Sequence, residues 1–155
     1  IILSKILKKN KIIPFRMRSK KIKDTYFIRL ERGEKIVESV KDFCSSNGIK
    51  CGYFSGIGAL DEAELAHYVV ETKKYSSKVF KQPLEITNLT GNIATLDGGV
   101  YLHCHITLSD EGMKVIAGHL KEGKIAATCE IILVKLGVEI NRKYDDFIGL
   151  NLLDI

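Results

Sequence analysis

The 155-residue sequence lacks any hydrophobic run long enough to cross a membrane as a helix. Charged residues interrupt every apolar stretch within about ten residues, whereas a membrane span needs roughly 18 or more apolar residues. We therefore expect a protein that does not insert into a membrane. The length and composition correspond to one globular domain with a single hydrophobic core.

Cysteine is scarce, and the sequence contains no Cys-x-x-Cys pair. The cysteines lie in segments whose patterns predict helix or strand, unlike the loop-rich framework of a small disulfide-stabilised protein. We predict reduced and mostly buried thiols, because free cysteine is among the most buried residue types. This usage fits a reducing cytosol and indicates a cytoplasmic protein. The residues concerned are Cys44, Cys51, Cys104 and Cys129.

Acidic residues are absent from the first 23 positions, which hold nine of the 24 basic side chains. In residues 24–155 the remaining 15 basic side chains are outnumbered by 19 acidic ones. Because phosphate binding depends on clustered cations, we expect any DNA affinity in this N-terminal arm, with Lys20, Lys21 and Lys23 as candidates. The sequence thus predicts a basic arm over residues 1–23 and one domain over residues 24–155.

The arm has an alternative interpretation that depends on where the natural chain starts. The sequence begins with Ile1, whereas Met17 stands just before the first predicted strand. Residues 1–16 would then be non-native, and the chain that remains would be electrically neutral. A neutral chain would not attract nucleic acid through its net charge.

The order of apolar patterns and turns predicts an α+β fold. Residues 25–30 are rich in β-branched and aromatic side chains and predict a strand, whereas spacings of three and four predict an amphipathic helix over residues 34–45. We expect a polar connection at residues 75–81 and a turn at residues 121–123. Further strands are predicted over residues 63–71, 84–90, 100–108 and 124–136. One or two helices packed on a mostly antiparallel sheet account for this pattern.

The most informative stretch is YLHCHITL at residues 101–108. Strict alternation places His103 and His105 on one face of a strand and Cys104 on the other. Positions two apart on a strand are separated by roughly 6.5–7 Å, so both imidazoles can reach one ion. His119 follows a turn and could supply a third ligand. Three imidazoles with an open position suit Zn²⁺, or less specifically Fe, Co or Ni; a metal-free surface pair is the alternative.

Two further residues, Glu130 and His67, are of types that can take part in chemistry. Glu130 lies inside an apolar run, so it is a candidate proton acceptor or a hydrogen-bond partner that orients a ligand histidine. The alternative is a carboxylate at a strand edge that faces solvent. His67 stands alone in an alternating strand, and we expect a structural or surface role for it. No serine or cysteine nucleophile can be paired with a base by spacing, so catalytic residues stay unknown.

Six short motifs, taken together, resemble the PPC domain, the plant and prokaryote conserved domain that also occurs in AT-hook nuclear proteins. The resemblance runs from about Lys20 to the C-terminus. The motifs are SGIGAL at 55–60, LTGNIA at 89–94, HCH at 103–105, GHL at 118–120, TCEI at 128–131 and GLNLL at 149–153.

This resemblance implies an α+β domain, built on a mostly antiparallel sheet, that associates as a homotrimer. It implies that His103, His105 and His119 match the histidine positions of the family, group near a subunit contact and hold a divalent metal, with zinc as the first candidate. It also implies partner contacts in the segment that the plant proteins use for this purpose. In this sequence those positions are Pro83, Leu84, Glu85, Ile86 and Gly91.

Two alternative functions follow, one from the resemblance and one from the histidine site itself. Prokaryotic members are described as DNA-binding by analogy with the plant proteins, in which a separate Arg-Gly-Arg-Pro hook reads the minor groove. This sequence has no such hook, and its acidic body disfavours direct DNA binding. We expect a DNA-associated, transcription-regulatory homotrimer with a three-histidine metal site. The alternative is a small metal-dependent, hydrolase-like enzyme that uses the same histidines.

Overall fold

The computed structural model describes residues 17–155, so residues 1–16 of the predicted arm lie outside the described residues. Within this part, the chain forms one domain with nine strands and one α-helix. The elements are β1 (Arg18–Ile22), β2 (Thr25–Glu31), α1 (Ile36–Ser46), β3 (Gly52–Val69), β4 (Lys74–Phe80), β5 (Leu84–Leu96), β6 (Gly99–Ser109), β7 (Val115–Lys135), β8 (Arg142–Asp145) and β9 (Leu150–Leu153). The predicted α+β domain with a mostly antiparallel sheet is confirmed, although its helical part is small.

Seven strands form an antiparallel sheet in the order β1-β2-β7-β6-β5-β3-β4, and β7 pairs with β3 as well. Because of this additional pairing, β3, β5, β6 and β7 form a closed circuit of hydrogen-bonded neighbours. The first residues of β7 pair with β6, and its last residues pair with β2. Strands β8 and β9 form a separate hairpin.

The core lies between α1 and one face of the sheet. The helix buries Ile36, Val40, Phe43 and Cys44, which confirms the face predicted from spacings of three and four. All four cysteines are buried and free, as predicted. Burial raises the pKa of the Cys44, Cys104 and Cys129 thiols to about 12, so they stay protonated at neutral pH. The helix of the described chain is too short to cross a membrane.

Strand β1 lies in the segment that was predicted as the end of the basic arm. It pairs with β2, so the sheet begins at Arg18 and not after Lys23. Lys23 adopts a positive φ of 53° and makes the turn between the two strands. All five residues of β1 are exposed, and the strand therefore has no apolar alternation that would indicate it from the sequence.

Two predicted loops also turn out to be strand. Residues 75–81 lie almost entirely in β4, where nearly every side chain is exposed and no alternation between apolar and polar positions occurs. Residues 121–123 continue β7 without a turn. The pairing of β7 with β3 is irregular here, and a β-bulge accommodates the unpaired residue of β7 without ending the strand.

Candidate metal centre

The pairing of β6 with β7 brings the three histidines together. His105 lies directly opposite His119, and His103 lies two residues along β6 on the same face. His119 is also paired with Ala66, because β7 runs between β6 and β3 at this point. The closure of the sheet therefore decides the position of the third histidine relative to the first two.

The imidazole rings form a compact triangle. Their centroids are 5.3 Å apart for His103 and His105, 5.4 Å for His103 and His119, and 5.5 Å for His105 and His119. One nitrogen from each ring lies within 4.8 Å of the nitrogens of the other two. Nitrogens on one tetrahedral zinc ion lie about 3.3 Å apart, so small side-chain rotations would close the remaining gap.

The surroundings hold two of these imidazoles in the neutral form that binds a metal. Burial, followed by the charge of Arg142 and the nearby histidines, lowers the pKa of His103 to about 4. The pKa of His119 is lowered as well, first by burial and then by His105 and Lys121. Neutral imidazole offers a lone pair, and no proton has to be displaced when a metal binds.

His119 supplies a separate test of whether the site fits a metal. Its Nδ1 atom is buried and has no hydrogen-bond partner among residues 17–155. A buried polar atom without a partner costs free energy. A bound metal would remove that cost, either by binding this nitrogen or by orienting the ring so that the nitrogen finds a partner. The donor set and this orphaned nitrogen together fit a divalent metal such as Zn²⁺.

A cleft of about 430 Å³ lies beside the triad. The Tyr75 ring lies 5.6 Å from the His119 ring and 4.9 Å from the ring of Tyr68. Leu150 of β9 lines the cleft as well, and so does His67, which is exposed. The triad therefore adjoins a space with aromatic and apolar walls that is large enough for a small molecule.

Arg142 of β8 lies close to His103, whose pKa it lowers. Its Nη2 atom donates to Asn92 Oδ1 at 2.7 Å, and its Nη1 atom donates to the Asn151 carbonyl at 2.8 Å. The guanidinium carbon lies 4.9 Å from the centroid of the Tyr101 ring. Asn92 is the residue that faces His103 in the pairing of β5 with β6. These contacts fix a cation beside the triad.

Arg142 and Tyr75 were not predicted as site residues. Tyr75 lies in the stretch expected to be a connection, and Arg142 belongs to no motif. The one available signal is the GLNLL segment at residues 149–153, which contains two residues that the structure brings to this region, Leu150 and Asn151. Proximity across several strands is not visible in local sequence spacing.

Glu130 does not join the histidines, contrary to the role considered for it. Its side chain is exposed and lies opposite Arg29 and Ile57 on the other face of the sheet from α1. Eleven positions along β7 separate it from His119, a span on the order of 30 Å in an extended strand. The apolar neighbours of Glu130 belong to a strand that alternates, and the carboxylate occupies its solvent side.

The candidate lysines for DNA contact are all exposed. Lys20 pairs across the hairpin with Phe27, whereas Lys21 pairs with Tyr26 and places its Nζ atom 5.4 Å from that ring centroid. Lys23 forms the turn. Since adjacent residues of a strand point to opposite faces, the three lysines point in different directions and do not form one basic patch.

The predicted partner-contact positions lie just before β5 and within it. Leu84 and Ile86 are each 3% exposed and belong to the core. Gly91 is partly buried, whereas Pro83 and Glu85 are exposed. Alternation along β5 explains why some of these side chains are buried and others exposed. Of the five positions, a partner would reach the side chains of Pro83 and Glu85 directly.

Comparison with known proteins identifies relatives over most of the chain. The sequence pattern of the Plants and Prokaryotes Conserved (PCC) domain matches residues 17–137. A crystal structure of a "putative dna binding protein" from Bacteroides thetaiotaomicron is 36% identical, with a TM-score of 0.87, over 89% of this chain and 96% of that one. Comparison with curated proteins gives no match.

Two archaeal structures are similar to the chain at 31% identity and a TM-score of 0.79. One is a metal-containing protein from Archaeoglobus fulgidus, for which the similarity covers 90% of this chain and 96% of that one. The other is a plant- and prokaryote-conserved (PPC) protein from Pyrococcus horikoshii, covering 90% of this chain and 95% of that one. The fold and the histidine triad thus lie within a segment shared with these proteins.

Proposed function

Since this chain belongs to the Plants and Prokaryotes Conserved domain family, we propose that it is a DNA-associated regulatory homotrimer in which His103, His105 and His119 hold a divalent metal, with zinc as the first candidate. The observation that carries the proposal is the convergence of three ring nitrogens within 4.8 Å. The description of one relative as metal-containing and of another as a "putative dna binding protein" supports it.

The residues of the chain would hold the metal in the following way. The side chains of His103 and His105 come from one strand, and His119 comes from the strand opposite, so the site is fixed by backbone pairing on a rigid sheet. A divalent metal held by three histidines supplies a Lewis-acid centre with an open position. The cleft borders the triad and would give an external ligand access to it.

Metal analysis of untagged protein tests the site directly. We expect about one metal ion per chain in the wild type, and less than about a tenth of that in the His103→Ala/His105→Ala variant and in His119→Ala. The matched control is His67→Ala, because His67 lines the same cleft but lies outside the triad. Equal metal content in the wild type and the triad variants would contradict the proposal.

The DNA part of the proposal assigns contact to the N-terminal arm. Its positive charge is the feature that supports it, because the body of the chain is net acidic. The test should keep β1, since a chain that starts at Asp24 would lose the strand that pairs with β2. We suggest comparing the full chain, a chain that starts at Met17, and a Lys20→Gln/Lys21→Gln/Lys23→Gln variant.

We expect DNA affinity to fall when residues 1–16 are removed and to fall again when the lysines are neutralised. The slope of log affinity against log salt should decrease by about 0.9 for each phosphate contact that is lost. Fluorescence anisotropy with a short duplex, measured at several salt concentrations, provides both quantities. If DNA binding persists at moderate salt after both changes, the DNA contact lies in the acidic body and the proposed role of the arm is wrong.

A metal-dependent enzyme of the hydrolase type is the second candidate. The cleft beside the triad is the observation that favours it, because an enzyme needs space for a substrate next to its metal. Glu130 is too far away to act as the proton acceptor. Besides the triad, the titratable residues that line the cleft in the described part of the chain are His67, Tyr68 and Tyr75. Of these, His67 carries an imidazole, the side chain that most often acts as a general base in enzymes.

The homotrimer is supported by an apolar patch on the sheet face opposite α1. We define this outer patch by four side chains that are between 45% and 59% exposed: Phe27, Tyr53, Ile57 and Ile132. Phe27 and Ile132 are directly paired, and Ile57 and Tyr53 lie on the neighbouring strand. A contiguous exposed apolar surface of this kind is typical of an interaction site.

A further inference from the structure

We propose that the cleft beside the triad binds a small organic carboxylate that carries an aromatic or apolar group, and that the C-terminal hairpin β8–β9 provides the wall that recognises that group. This inference rests on the metal site proposed above. It adds the chemical class of the ligand and assigns a specificity role to Leu150.

The charge of the site favours an anion. None of the ten described residues that line the cleft is acidic. Arg142 is not part of the cleft lining, but it lies next to His103, which is. It is 8% exposed and makes no ion pair within residues 17–155, because its hydrogen bonds go to an amide oxygen and to a carbonyl. Its Nε atom is buried and has no partner among the same residues. A buried cation without a counterion stabilises an anion nearby, and a divalent metal on neutral imidazoles would add to that preference.

The walls of the cleft favour an organic ligand over a bare inorganic ion. Tyr68 and Tyr75 lie ring against ring at 4.9 Å, and Leu150 lines the cleft as well. No lysine or arginine is among the described residues that line it, whereas a phosphate dianion is usually held by several N–H donors or by an arginine fork. A carboxylate needs fewer donors and leaves its apolar part to contact these walls. The volume of about 430 Å³ fits a ligand of this size.

The C-terminal hairpin is anchored so that Leu150 stays at the cleft. The Tyr68 hydroxyl donates to the Ile148 carbonyl at 2.7 Å, and the Ile148 amide donates to Asp145 Oδ1 at 2.8 Å. Gly149 adopts a φ of +82°, and a Cβ atom there would lie 2.7 Å from the Tyr68 hydroxyl oxygen. A glycine is therefore required at this position, both for the backbone conformation and for space. Leu150 is held in place by these contacts as a fixed part of the wall.

The test uses cobalt-loaded protein, because the visible spectrum of Co²⁺ reports a change in its ligands without any assay of activity. Cobalt content is measured first in the wild type and in His119→Ala, so a failure of the metal site is recognised before a carboxylate is added. Benzoate, acetate, benzyl alcohol and inorganic phosphate are then titrated separately. We expect benzoate to bind about tenfold more tightly than acetate, benzyl alcohol to leave the spectrum unchanged, and phosphate to bind more weakly than benzoate.

Two leucine variants on the same strand test the wall. Leu150→Ala should weaken benzoate binding by about threefold to tenfold and leave acetate binding unchanged, because it removes apolar contact alone. Leu152→Ala is the matched control, since Leu152 lies on β9 outside the cleft lining. The proposal is overturned by an equal response to benzoate and benzyl alcohol, by phosphate binding more tightly than benzoate, by equal affinities for benzoate and acetate, or by the same effect from both leucine variants.

Discussion

At Gly58 the backbones of β3 and β7 come so close that a side chain has no room. A Cβ atom there would lie 2.2 Å from the Thr128 carbonyl oxygen and 2.7 Å from the Cys129 Cα atom. Both contacts are with backbone, which cannot rotate away as a flexible side chain would. The register between the two strands is irregular next to this position.

We predict that Gly58→Ala lowers the free energy of unfolding by about 1–3 kcal/mol, because the two strands must separate to admit the methyl group. Gly99→Ala is the control, since the nearest atom to a Cβ there lies at 3.6 Å and the change should stay within about 0.5 kcal/mol. Urea denaturation of both variants measures the difference. A loss of similar size at the two positions would contradict this account.

His103 couples the stability of the metal-free protein to pH. Its pKa is about 4 in the folded chain, compared with an ordinary value of 6.5. Between these two values the unfolded chain binds a proton that the folded chain does not, so stability falls as the pH falls from 6.5 towards 4. Below about pH 4 the loss due to this group is complete. The causes are burial, then Arg142, His119 and His105.

We predict that His103→Gln reduces the loss of stability between pH 7 and pH 4.5 by about 1–2 kcal/mol, a figure discounted because the imidazole is partly solvated. Urea midpoints measured at both pH values, with a chelator present to keep the protein free of metal, give the comparison. His67→Gln is the control, since His67 is exposed. An unchanged pH dependence in His103→Gln would rule out this histidine as the source.

Among the elements, the C-terminal hairpin is held to the sheet by side-chain hydrogen bonds. One of them is the hydrogen bond that the Tyr68 hydroxyl donates to the Ile148 carbonyl. We predict that Tyr68→Phe lowers the free energy of unfolding by about 0.5–1.5 kcal/mol and speeds amide hydrogen exchange in the hairpin more than in β5. Exchange measured by NMR or mass spectrometry resolves the two elements.

Tyr144→Phe provides the matched control for this prediction. Tyr144 lies in β8 but its side chain is 55% exposed, so loss of its hydroxyl should not change hairpin exchange. Faster exchange that is equal in the hairpin and in β5 would show that the Tyr68 hydroxyl acts on the whole domain. In that case the hairpin would not be an independently anchored element.

The elements also differ in how well their sequences predicted them. Helix α1 follows from apolar spacings of three and four, because it buries one face and exposes the other. Strand β4 was not predicted from its sequence, because it lies at the edge of the sheet with nearly every side chain exposed. Strand β7 was predicted to break near Gly123, but a bulge absorbs the polar residues there. Periodicity detects burial, and it fails where a strand buries neither face or changes register.

For the whole molecule, the outer patch connects the fold to the proposed assembly. Its side chains alternate with the buried ones along β2, β3 and β7, so the patch covers the back of the same strands that form the core. Glu130 and Arg29 lie opposite each other on this face and add polar groups to it. A second and third copy of the chain would cover the patch in the proposed homotrimer.

We predict that Ile132→Glu converts the proposed trimer to a monomer, because a carboxylate in the outer patch would have to be desolvated without a partner when the copies associate. Val79→Glu on β4 is the control, since Val79 is 47% exposed but lies outside the outer patch. Multi-angle light scattering after gel filtration gives both masses. A wild-type protein with the mass of one chain, or equal masses for the two variants, would contradict the prediction.

The sequence by itself determined the parts of this protein that depend on local spacing. Alternation along β6 placed His103 and His105 on one face and Cys104 in the core, and helical spacing defined the buried side of α1. Tertiary structure decided which distant residues meet. The pairing of β6 with β7 sets His119 opposite His105, and the C-terminal hairpin brings Arg142 beside them. Local spacing reports which face a residue occupies, whereas contacts between residues far apart in the chain are set by strand register across a closed sheet.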